Sequence, residues 1–143
     1  VSAFGYKRRF GVVGVERLHN LQNEAANFPH QSGAHSITLL SGIELNPGFQ
    51  LDYNTCIVNE VHDCLVMDVP DDMSIIIPVA IRAMETLQRI PHDWGLTEVP
   101  FKAEAEIGYA WGNGISFNPY DYINQLDHLT GVSHAATLTT KPR

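Results

Sequence analysis

Apolar positions along this chain concentrate in two short runs, Thr55 to Val61 and Leu65 to Val69, separated only by His62, Asp63 and Cys64. Both runs are rich in β-branched and aliphatic residues, which predicts two paired and largely buried strands. Pro70 stops the second. The polar residues between them predict a tight hairpin tip. A carboxylate at such a tip is held rigidly with its charge outward, as a metal ligand must be.

The pattern changes period on either side of these strands. Val1 to Val15 reads as two extended pieces around a turn, with Lys7, Arg8 and Arg9 directly after Gly5-Tyr6. From Glu16 to Ala26, Leu18, Leu21 and Ala25 share one helical face. Pro29 predicts a break over Asn27 to Pro29, because the residue before a proline avoids the helical region. A second helix is predicted from His30 to Glu44, with Ala34, Ile37, Leu40 and Ile43 as its apolar face. Asn46-Pro47-Gly48 then reads as a turn.

After the hairpin, Asp71-Asp72-Met73-Ser74 predicts a helix start, with Asp72 or Ser74 as cap. Ile76, Val79, Ala80, Ala83, Met84 and Leu87 form its buried face. Pro78 predicts a late start or a kink, and Pro91 to Gly95 the end. Pro100 to Tyr109 alternates apolar and polar residues as a half-exposed strand does. Gly112-Asn113-Gly114 is a turn. A short helix from Tyr120 to Leu129 is capped by Asn118 and begun by Pro119. Val132 to Arg143 reads as a loose tail.

The hairpin segment Val61-His62-Asp63-Cys64-Leu65-Val66-Met67-Asp68-Val69 resembles motif C of the family A DNA polymerases, a Val-His-Asp-Glu core between apolar runs. Cys64 departs from it, standing where the family has Glu. Upstream, Asn23-Glu24-Ala25-Ala26-Asn27-Phe28-Pro29-His30-Gln31-Ser32-Gly33-Ala34 resembles the family's Arg-x-Ala-x-Asn-x-x-Gln-Gly-x-Ala-Ala-Asp segment. Asn23, Ser32 and Ser36 stand in place of its Arg, Gly and Asp. Gly108-Tyr109-Ala110-Trp111 is similar to the family's closing strand, and Gly5-Tyr6-Lys7-Arg8-Arg9 to its Gly-Arg-Arg-Arg turn. The likeness covers Gly5 to Trp111, with its segments in the family's order.

What the resemblance implies is specific. The fold would be α+β: an antiparallel palm sheet containing the motif C β-hairpin, packed on helices, as the C-terminal part of a larger right-hand polymerase. Residues 1–111 would be palm, with 1–15 the return from the fingers, and 112–143 a C-terminal extension or tail. The implied activity is DNA-directed DNA polymerisation, in which a primer 3′-hydroxyl attacks the α-phosphate of a deoxynucleoside triphosphate with two Mg²⁺ ions. Asp63 would be catalytic and ligate metal, with His62 beside the primer end. Asn27 and Gln31 would reach the minor groove of primer-template DNA, where an amide reads pair shape without reading sequence. Lys7, Arg8, Arg9 and Arg17 would meet phosphates. Without the resemblance, Asn27 and Gln31 also read as helix caps, and the basic cluster as a solvated turn. The family's motif A carboxylate and its fingers Lys and Tyr are not in this chain, so a preceding part carrying motif A, fingers and thumb is an implied partner. The alternative is a non-catalytic palm remnant or assembly subunit that binds a partner protein.

Composition narrows these readings. With 143 residues the chain suffices for one core. A formal net charge of −7 argues against a self-sufficient nucleic-acid-binding module, but not against a palm whose acids gather cations. No apolar run approaches the roughly 20 residues of a membrane span, and the opening residues do not read as a secretory signal. The expected location is the cytoplasm of a bacterial host or virus-infected cell. The first residue is Val, which suits a processed chain or a portion of a larger polypeptide. The seven histidines lack zinc-like spacing. Cys56 and Cys64 would sit in neighbouring strands, facing each other or as buried reduced thiols.

Overall fold

The computed structural model describes residues 1–12, 14–110 and 112–130. Trp111, which ends the family likeness, and the stretch from Val132 to Arg143 lie outside the described residues. The chain is α+β, with two small antiparallel two-stranded sheets and three α-helices among the described residues. Helix α1 spans Leu18–Tyr53, β1 Cys56–Val61, β2 Cys64–Asp68, α2 Met73–Asp93, β3 Ala105–Ile107, β4 Ile115–Phe117 and α3 Pro119–Thr130.

The largest departure from expectation is α1. It runs unbroken for 36 residues through both Pro29 and Pro47, where the sequence predicts a break and then a turn. A helical proline removes one N–H and frees one carbonyl four residues earlier. Here those carbonyls belong to Ala25 and Ile43, both exposed, so water can take them. At Asn46-Pro47-Gly48 a tertiary contact adds the reason. A Cβ on Gly48 would lie 2.6 Å from an Arg82 guanidinium nitrogen, so the Arg82 head of α2 lies directly over this turn of α1. Arg82 then sits 5.8 Å from the Phe49 ring centroid and 3.5 Å from the Asp52 carboxylate. Helix α1 stops only at Asn54, in the left-handed conformation at φ 49°, and the N–H groups of Asn54 and Thr55 both reach the Phe49 carbonyl.

Burial in α1 follows from this continuity. The inward row is Ile37, Ser41, Leu45 and Phe49, with Ser36 and Thr38 beside it. Ile43, expected inside, is 63% exposed. Ser36, Thr38 and Ser41 satisfy their hydroxyls on the carbonyls of Ser32, Ala34 and Ile37. Upstream of Ser36 no residue of α1 is buried; of the expected face, Leu18 and Ala25 are exposed and Leu21 is half-buried.

Leu45 and Phe49 of α1 meet Val79 and Ala83 of α2, with Tyr53, Ile57, Leu65, Met67, Val69 and Ile75 packed around them. A second cluster joins Ile77 and Ile81 of α2 to Ile123 of α3, with Met73 and Phe117. Helix α2 is therefore shared between two cores. It starts at Met73 as its acidic cap predicts. The Asp72 carboxylate accepts from the Ser74 N–H at 2.8 Å and hydroxyl at 2.7 Å, and these bonds lower its pKa. Pro78 and Pro91 both lie inside the helix.

The hairpin sheet has two strands, not the broader palm sheet expected. The chain's last predicted strand shortens to β3 and pairs with β4, Ala105 opposite Phe117 and Ile107 opposite Ile115. Helix α3 begins at Pro119, with the Asn118 side chain accepting from the Tyr120 N–H at 3.2 Å, as the sequence predicts. Among the described residues no helix is long and apolar enough to cross a membrane.

Pro29→Ala tests the continuity of α1. It restores an N–H to the Ala25 carbonyl and removes a residue that costs up to about 3 kcal/mol in a helix interior. Hydrogen exchange across residues 26–34 is expected to slow. Faster exchange would mean that the chain bends at Pro29.

Candidate functional site

Strands β1 and β2 pair Val61 with Cys64, Glu60 with Leu65 and Asn59 with Val66, then Ile57 with Met67 and Cys56 with Asp68. The register shifts at Val58, the extra residue of a β-bulge. A bulge changes which side chains share a face. Ile57, Leu65 and Met67 pack on the α1–α2 core, and Glu60, paired with Leu65, lies on that same side. Cys56 sits opposite Asp68 and Cys64 opposite Val61, so the two cysteines do not face each other; both are free, Cys56 half-buried and Cys64 exposed.

The loop is His62-Asp63, two residues. His62 takes a positive φ of 57°, a rare backbone for a non-glycine, as a tight primed turn requires of its first position. Both side chains are exposed, carried on strands whose other face is anchored in the core. Burial first, then the nearby carboxylates of Asp63 and Glu106, push the Cys64 thiol above its ordinary pKa. The β3–β4 ribbon therefore brings a second carboxylate into the electrostatic neighbourhood of the apex. The Tyr109 hydroxyl donates to Asp71 at 3.2 Å, tying that ribbon's end to the start of α2.

A hard divalent cation suits this apex in kind. Asp63 offers carboxylate oxygens toward solvent, and Asp63 and Glu106 together set a negative field. Mg²⁺ prefers an octahedron of oxygens, and no group of three His, Cys, Asp or Glu residues placed to hold a metal occurs among the described residues. Asp63 can thus supply part of a coordination shell, the remainder coming from water, a bound phosphate or another segment.

Asn27 and Gln31 are both exposed on α1. They are four residues apart and so are neighbours on the helix surface, rather than caps, because α1 does not end near them. The next position in the row is His35, whose Nδ1 lies 3.0 Å from Glu60 Oε1. The row of amides therefore runs to the hairpin. Neither His35 nor Glu60 stands out in the sequence. His35 was detectable only from its i+4 spacing after Gln31, and Glu60 turns inward only because of the bulge.

The basic residues occupy a different place. Arg8 pairs with Glu24 and lies 5.7 Å from the Phe10 ring centroid. Lys7, Arg9 and Arg17 are exposed. Arg17 precedes Gln31 by fourteen positions, which at helical rise is about 21 Å. Arg17 therefore lies toward the start of α1, and Arg8 lies against Glu24 within its first two turns. The N-terminal segment is held at its other end by Phe4, which packs on Trp94 with ring centroids 5.0 Å apart.

The acidic apex has a chemical readout. In a Cys56→Ser background, iodoacetamide is expected to alkylate Cys64 at pH 8 about two- to fivefold faster after Asp63→Asn or Glu106→Gln, because removing either carboxylate stabilises the thiolate. Unchanged rates in both variants would separate Cys64 from those charges.

Compared with known proteins, the chain matches no family model, no curated protein and no solved structure.

Proposed function

We propose that this chain is the C-terminal part of the palm of a family A DNA polymerase, adding deoxynucleotides to a primer 3′-hydroxyl. The observation that carries the reading is the exposed His-Asp tip on a core-anchored hairpin, joined through Glu60 and His35 to the helix that bears Asn27 and Gln31. A metal-bearing tip and a row of amides on one framework suit a site that must place a primer end while ignoring base sequence.

In this reading Asp63 holds a fixed negative charge where two Mg²⁺ ions, when bound, neutralise the charge of the transferring phosphoryl group. His62 stands beside the primer end. Asn27 and Gln31 donate side-chain amides to minor-groove acceptors, which occupy similar places in every correct pair. Lys7, Arg9 and Arg17, with Arg8 partly engaged by Glu24, meet backbone phosphates farther along the duplex. The remaining carboxylate, the nucleotide-binding fingers and the thumb come from a preceding part of the polymerase, acting in the cytoplasm of a bacterial host or virus-infected cell.

A second reading has its own observation. Helix α1 has no buried residue before Ser36, although Leu18 and Phe28 lie on that stretch. This favours an assembly subunit or palm remnant whose task is to bind a partner protein through that helix.

Primer extension separates the two. The chain alone, with primed template, four nucleotides and Mg²⁺, is expected to be inactive. Addition of the preceding polymerase part restores extension, and Asp63→Asn then lowers incorporation by about a hundredfold or more while DNA binding persists. Restored extension that stays within about tenfold after Asp63→Asn would remove Asp63 from the site, and assembly without any extension would favour the subunit reading.

The amide row is tested in the same assembly. Gln31→Ala is expected to weaken primed-template binding by about 1 kcal/mol, one hydrogen bond, and to alter extension from mismatched ends more than from matched ends. An identical mismatch profile would argue against minor-groove contact.

A further inference from the structure

The cations of the N-terminal part do not stand alike. Arg8 pairs with Glu24 of α1 and lies 5.7 Å from the Phe10 ring centroid, so its guanidinium has both an acidic and an aromatic partner. Among the described residues, Lys7, Arg9 and Arg17 have no acidic partner. One cation of the group is occupied and the others are free to meet an anion.

The backbone delivers Arg8 to that place. The Ser2 N–H donates to the Tyr6 carbonyl at 2.9 Å, and the Ser2 hydroxyl accepts from the Tyr6 N–H at 3.1 Å. Gly5, at φ 82°, closes the turn and donates to the Ser2 carbonyl at 3.0 Å. Phe4 seats this turn on Trp94, at the end of α2. Only Lys7 separates the turn from Arg8. An anchored turn therefore sets where the guanidinium reaches, and Glu24 is the acid it meets.

We infer that Glu24 is an intramolecular mask on Arg8, its carboxylate competing for the guanidinium with the phosphate of a nucleic-acid backbone. The inference rests on the phosphate contacts proposed above and names the residue that tunes them. Local charge favours the anion. Before Glu44 the chain carries Lys7, Arg8, Arg9 and Arg17 against two acids, Glu16 and Glu24, so its net charge of −7 arises downstream. The Arg8 side chain is 48% exposed, so a phosphate reaches it without unfolding the chain. A guanidinium turned to a carboxylate offers a phosphate fewer donors and less net charge. Exposed ion pairs are weak, so the mask lowers affinity by a small factor rather than closing the surface.

The test measures binding of the full chain to a fluorescein-labelled DNA duplex by anisotropy over a salt series. Glu24→Gln is expected to tighten binding about two- to fivefold. It should also steepen the dependence of log K on log salt by about 0.9, one further phosphate contact. The deciding comparison is the double variant. Arg8→Ala should weaken the Glu24→Gln protein more than it weakens the parent, and Glu24→Gln should leave affinity unchanged in the Arg8→Ala background. Both side chains are largely exposed, so neither substitution disturbs the core. Equal tightening by Glu24→Gln with and without Arg8 would make Glu24 a general repulsive charge and overturn the mask. No tightening, or no duplex binding by any variant at low salt, would overturn it too. Extension plays no part in this readout: coupling between Arg8 and Glu24 in a chain whose assembly never extends a primer would defeat the polymerase reading and leave the mask standing.

Discussion

Everything in this chain hangs on one joint, the contact of Leu45 and Phe49 with Val79 and Ala83. Phe49 is fully buried and Leu45 and Val79 are each 1% exposed. Burying side chains of this size is worth about 1.5–3 kcal/mol each. The same joint receives Ile57, Leu65 and Met67, so the hairpin is seated on the crossing of two helices rather than on a sheet. A two-stranded hairpin alone is marginal in water. Its strands are held by the packed helices beneath them.

Around that joint, polar groups adjust the crossing without adding much energy. Arg82 threads over Gly48 to Asp52, and Arg89 pairs with Glu44 and Asp93. These guanidiniums are partly exposed, and such pairs contribute little to stability. They lie along the α1–α2 crossing that the apolar contacts make. The buried hydroxyls of Ser36, Thr38 and Ser41 serve a similar end. Each turns back on its own helix, leaving a narrow surface for α2 and the hairpin to approach.

Along α1, the amide row lies between Arg17 at its start and His35, which meets Glu60 of the hairpin. Burial, and then Asp63 and Glu106, raise the Cys64 pKa at the tip, while Lys7, Arg9 and Arg17 are exposed in the N-terminal part of the chain. A net-acidic chain can gather cations at its tip and still present a local basic surface to a phosphate backbone. Glu60 belongs to neither pole. Its inward turn brings its carboxylate to within 3.0 Å of His35 on α1.

The sequence by itself determined the features that depend on neighbours in the chain. The paired strands around His62-Asp63, the Asp72 cap of α2, its stop before Gly95, and the Asn118-Pro119 start of α3 were all legible, because strand periodicity, capping and proline's fixed φ act over a few residues. Asp63 at the tip was legible for the same reason, but Asn27 and Gln31 were not legible as one helical row, because Pro29 predicts a break between them. Tertiary structure decided the rest. Pro29 and Pro47 are local breakers, yet α1 continues through them because its freed carbonyls face water and its far end is gripped by α2 through Phe49 and Arg82. The last predicted strand left the hairpin because β4 offered it a partner across a short turn. Nothing near Val58 marks the bulge that turns Glu60 toward His35. Those outcomes depend on contacts between segments distant in sequence, and local periodicity and propensity carry no information about such contacts.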